Sequence, residues 1–179
     1  MKIYSALKKD HEKVETLLKK LIESEETQDW KKLIDEIRDE LIPHSRAEEA
    51  LFYNPIRETE HGKSLILHAY TEHAMAETEL RTLQAMESID IKWTLLAKKL
   101  RKDLLHHIEE EEGKVFSAAK IIFSDEEAEK IGTAFEQLKP FVKKQSFVGT
   151  SMDLITNILP ERLRKNFRSH FSETQKKSA

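Results

Sequence analysis

His11, His44 and Glu48 recur as His73, His107 and Glu111, each member of the second set falling 62 or 63 positions after its counterpart. Within each set the last two residues read His-x-x-x-Glu, as HSRAE at 44–48 and HIEEE at 107–111. Side chains four apart share one helix face, so an imidazole and a carboxylate at that spacing can reach one ion. Two such pairs plus two further His point to a dinuclear metal site. Four imidazoles and two carboxylates, without a thiolate, suit iron, manganese or zinc and disfavour magnesium or calcium, which prefer oxygen. If the two Glu bridge a pair of ions, each ion receives two His nitrogens and two carboxylate oxygens. A six-coordinate ion then keeps positions for water, an oxo or hydroxo bridge, or an external small molecule. Zinc would be content with four ligands and is inert to redox.

Glu77 lies four residues after His73 and is a candidate further ligand, against the plainer reading of a helix-surface Glu. Glu49 and Glu112 follow the two ligand Glu and either orient those Glu or sit in solvent. The pair His106 and Glu110 is turned about 100° from His107, toward a flank. His61, His68 and His170 have no place in the repeat. A lone buried His is more often a hydrogen-bonded core residue than a ligand. Six residues sharing stripe, repeat and level carry more weight.

The elements that must position these groups read as helices. Apolar residues recur at alternating three and four steps over about 3–25, 29–53, 60–87 and 91–122. All six residues of the constellation lie on the stripes that face a core, where a carboxylate is costly unless paired or metal-bound. Breaks fall at 26–29, 54–62 and 88–90, and each contains the midpoint between two successive His of the set. An up-down-up-down antiparallel four-helix bundle would therefore hold all four His at one level, facing inward. Pro43 should kink or break the second helix, or open a fresh one. Ser124 to Glu127 form a capping box that opens a fifth helix over about 125–139, ended by Pro140. One or two short helices interrupted by Pro160 follow over 146–171, and residues 172–179 should be disordered.

The expected organisation is an all-α chain: residues 1–139 as the bundle plus its fifth helix, and residues 140–179 as a basic amphipathic extension packed on it. Residues 140–179 hold eight Lys/Arg and three Asp/Glu, and the whole chain has a formal net charge of -3, so residues 1–139 carry −8. An acidic body suits cations and argues against a nucleic-acid partner. The basic extension could instead dock a protein partner or an anionic membrane surface. The absence of Cys excludes disulfides, thiolate zinc sites, iron–sulfur clusters and a Cys nucleophile. No apolar run approaches the roughly 20 residues of an integral membrane span, and residues 1–13 lack a signal-peptide core, so a cytoplasmic location is expected.

DH at 10–11, H-x-x-x-E-E with ALFY at 44–53, EH at 72–73 and H-x-x-x-E-E with GKVF at 107–116 resemble the hemerythrin-like, HHE cation-binding domain, over roughly residues 3–138. The resemblance implies a four-helix bundle with a non-haem di-iron centre that binds oxygen or related species. By motif, His11, His44, Glu48, His73, His107 and Glu111 would be the iron ligands, with the two Glu as bridges. Glu77 departs from the pattern, because oxygen-carrying hemerythrins have a fifth His there. A more anionic ligand set favours ferric iron, which moves the expectation from reversible oxygen carriage toward sensing, detoxification or iron handling. The expected function is binding of O2, NO or peroxide by two iron ions, for sensing or response. The alternative is a di-iron enzyme in peroxide or NO detoxification, or in iron donation to damaged iron centres; a third option is a structural zinc bundle. The ferritin-like class needs Glu-x-x-His on two helices, and only Glu58 and His61 offer it.

Overall fold

A computed structural model describes residues 1–23, 30–60, 62–144 and 149–177. Among them every regular element is a helix, with no strand. The bundle consists of α1 (Ile3–Glu23), α2 (Trp30–Glu48), α4 (Lys63–Ala85) and α5 (Ile91–Glu110). Two of these helices are prolonged. A π-helical turn (Glu49–Tyr53) and the short α3 (Asn54–Arg57) come after α2, and a second π turn (Glu111–Val115) and α6 (Phe116–Ile122) come after α5. The remaining helices are α7 (Asp125–Lys143), α8 (Gly149–Ile158) and α9 (Glu161–Lys177). The expected first break, at 26–29, lies outside the described residues.

Each bundle helix presents an apolar stripe interrupted by one polar level. Along α1 the buried series is Leu7, His11, Val14; along α4 it is Ala69, His73, Ala76. On α2 it runs Leu41, His44, Glu48, and from α5 into the π turn after it Leu104, His107, Glu111. The polar level therefore divides the core in two. On one side lie Val14, Leu18, Ile37, Leu80 and Leu100, closed at the far end by Trp30 against Trp93 at 5.6 Å. On the other lie Ile3, Leu7, Phe52, Phe116 and Phe135.

Pro43 neither breaks α2 nor opens a new helix: α2 runs through it to Glu48. One missing backbone bond with its steric clash costs about 3 kcal/mol. Burial of Ile37, Leu41 and Leu51, each worth about 1.5–3 kcal/mol, outweighs it. Pro140 likewise does not end the fifth helix, which continues to Lys143 while Val142 packs against the core. The capping box forms as the sequence indicates, with the Glu127 amide donating to Ser124 Oγ and the Ser124 amide to Glu127.

α7 packs along α1 and α2, with α8 and α9 beyond it. Ile155, Leu159, Leu163 and Phe167 join the same core as Phe52 and Phe135. The expectation of disorder from residue 172 fails, because α9 is helical to Lys177; residues 178–179 lie outside the described part. No helix among the described residues is long and apolar enough to cross a membrane.

Candidate metal centre

The π turns start at the first residue after Glu48 and at Glu111 itself. A π turn inserts one residue into the helical ladder and re-aims the side chains beyond it, and such turns recur at functional sites. Here the insertion keeps Glu48 and Glu111 fully inside while residues 49–56 are also buried without interruption.

Six of the seven residues singled out in the sequence converge. His11, His44 and Glu111 form one cluster and Glu48, His73 and His107 another, each offering ligand atoms within 4.8 Å of one another. Glu77 is in neither: its oxygens accept from Arg46 at 2.6 Å and Arg81 at 2.7 Å. It shares a face with His73, but the arginine across on α2 draws it sideways.

Each carboxylate stands between the clusters. Glu48 Oε2 lies 3.5 Å from His44 Nε2 and 3.4 Å from His73 Nε2. Glu111 Oε2 lies 3.2 Å from His11 Nε2 and 3.7 Å from His107 Nε2. Two donors about 2.1 Å from one ion and at right angles are about 3 Å apart, so these separations fit shared coordination.

The imidazoles are aimed from behind, in a closed ring. His44 Nδ1–H donates to Asp10 on α1 at 3.1 Å, and His73 Nδ1–H to Glu49 after α2 at 3.0 Å. His107 Nδ1–H donates to Glu72 on α4 at 2.9 Å, and His11 Nδ1–H to Glu112 after α5 at 3.0 Å. Every carboxylate thus holds the His of the next bundle helix, and every Nε2 lone pair is turned inward. Three of the four are backed by fixed cations: Lys139 on Asp10, Arg46 on Glu49 and Lys8 on Glu112. The sequence pointed to Glu49 and Glu112 as groups that orient the ligand Glu, whereas they hold His73 and His11, and it gave no role to Asp10 and Glu72. The signal was an acid immediately before each of His11 and His73, the two His outside the repeated pairs His44–Glu48 and His107–Glu111.

The buried groups shift one another's titration. Burial and the Glu48 charge push Glu111 well above the usual carboxylate range, while Glu111 and His44 hold Glu48 down against its own burial. Burial lowers His11 to about 4 and lowers His107. At His44 and His73 burial is outweighed by the adjoining carboxylates, Asp10 and Glu48 for the one and Glu48 and Glu49 for the other, which hold His44 at about 9. His11 Nε2 and all four oxygens of Glu48 and Glu111 are buried without a hydrogen-bond partner. Such atoms are expensive to leave unpaired. Four imidazoles and two carboxyl groups converging at these distances are a donor set that fits metal ions.

Beside the four imidazoles is a pocket walled by Val14, Leu41, Leu104 and Ile108, with room for about one water-sized species. Tyr53, after α2, stacks on His73 at 5.3 Å. Phe135 of α7 meets His44 edge-on at 5.6 Å. Neither contact was foreseen from the sequence.

Residues 2–119 match the hemerythrin HHE cation binding domain. A protein named DNA nickase, from Nostoc sp. (strain PCC 7120 / SAG 25.82 / UTEX 2576), is 24% identical over 145 residues, which are 81% of this chain and 41% of that protein. The chain therefore spans about two-fifths of that relative's length. No solved structure matches. The two His-x-x-x-Glu pairs, the two flanking His and the helical bundle that gathers them agree with the matched domain, and the chain belongs to the hemerythrin HHE cation-binding family.

Proposed function

We propose that His11, His44, His73 and His107 hold two non-haem iron ions bridged by Glu48 and Glu111, and that the centre binds O2, NO or peroxide in sensing or response. When bound, the iron pair supplies open coordination positions and one-electron exchange. The chain's own part is positional. The ring of carboxylates fixes the four Nε2 atoms, and the two Glu reach both clusters. The observation that supports the choice of ligand is the small pocket between the imidazoles and Val14, Leu41, Leu104 and Ile108, which has no room for an organic substrate.

Asp10 accepts from both His44 and Lys139 of α7, so a change at the centre has a direct route into the helix on which α8 packs. This connection favours a responding protein over a self-contained enzyme. The activity in the relative's name is not carried over, because an acidic bundle is a poor surface for DNA.

Anaerobically purified protein should contain about two irons per chain, supplied by the dinuclear ligand set. Admission of air or NO should change its absorption spectrum once, without turnover. His73→Ala and Glu111→Ala should each lose metal and colour. Full occupancy by zinc, or metal and colour retained in both variants, would overturn the assignment; sustained turnover with a reductant would favour the detoxifying enzyme.

A further inference from the structure

Outside the ring, His68, Glu72 and Glu110 bring ligand atoms within 4.8 Å of one another on the flank between α4 and α5. His68 Nε2 lies 3.5 Å from Glu72 Oε1 and 3.6 Å from Glu110 Oε2. His106 Nε2 stands 3.8 Å from the other Glu110 oxygen, which also accepts from Lys114. The three side chains line a cleft that continues inward to His107 and Glu111. Along it, side-chain exposure falls from 56% at His68 to 15% at Glu72, then to 5% at His107 and 0% at Glu111. The most buried residue that lines the cleft is Glu111, whose oxygens have no hydrogen-bond partner, and the cleft has room for about one water-sized species.

We propose that His68, Glu72 and Glu110 form a peripheral site for a partly hydrated divalent first-row cation, and that this site loads the buried pair. The reading rests on the dinuclear centre proposed above. One imidazole and two carboxylates suit ferrous or manganous ions, with water completing the shell. The exposure of His68 makes the site weak enough to release its ion. Glu72 is common to both places: Oε2 accepts from His107 and Oε1 faces His68. A cation held on Oε1 is therefore one carboxylate away from a ligand of the centre. The cleft beyond leads to Glu111, which can draw the ion in as it sheds water.

The test uses Co2+, followed by its visible absorption, added to the full chain after removal of metal by a chelator. Wild-type protein should take up two ions tightly and a third weakly. His68→Ala and Glu110→Gln should lose the third ion, keep the final pair, and fill that pair at least about tenfold more slowly at sub-saturating metal, the lower end of what the loss of one supporting group does to metal binding. His73→Ala separates this proposal from the one it rests on: it should lose the buried ions and keep the surface ion. Unchanged loading in both flank variants, or a third ion that survives them, overturns the peripheral site. Uptake of the surface ion alone by the wild type overturns the centre and, with it, the loading role.

Discussion

An imidazole is a directed ligand only when its other nitrogen is occupied, and here each Nδ1–H is held by a carboxylate from a neighbouring element. Glu112→Gln weakens that hold on His11 while leaving the ligands in place. Metal affinity should fall roughly 10–100-fold with no change in helix content, measured by chelator competition and circular dichroism. The six converging residues were legible because they make an unusual pattern, His and Glu on stripes that should be apolar. Asp10 and Glu72 were not, because a residue beside a His is turned about 100° from it on its own helix. That turn is what lets each reach the His of the next helix. Helix geometry alone suggests Glu77 as a ligand; Arg46 lies on a separate helix and is invisible to that geometry.

At the level of the elements, alternating three and four steps located the bundle helices, and paired breaks placed the four His at one level. The π turns left no trace in that pattern, since a single inserted residue in an apolar stretch such as ALFY changes no residue type. The two prolines misled for the same reason that helix rules are weak in a core: packing of Leu41 and Leu138 outweighs a local preference. The Ser124 capping box was both local and decisive. Ser124→Ala should cost about 1 kcal/mol of unfolding free energy in urea titration. Glu127 also accepts from Arg162 of α9 at 2.7 Å. The Arg162 guanidinium and the Ser124 backbone hold its carboxyl at about 2. The pKa is depressed on folding, so its contribution is complete above the unfolded value of about 4.3 and disappears as pH falls from there through the folded value. The stability gap between wild type and Glu127→Gln should accordingly be larger at pH 7 than at pH 3.

For the whole molecule, the C-terminal helices belong to the same core as the bundle's aromatic end. Phe167 is fully buried among residues that include Phe52 and Phe135. Phe167→Ala should cost about 3–5 kcal/mol, seen as one lowered thermal transition rather than a second, separate one. Composition and periodicity showed an amphipathic extension but not its seat, since an apolar stripe does not name the surface it meets. The closed circuit of His and carboxylate has a consequence for inheritance. Each of the four helices carries half of one contact and half of the next, so none owns a portable share of the site. A helix exchanged with another bundle would arrive with its His unsupported and its acid without a guest. Such a centre can be passed on, or redesigned, only as all four quarters together.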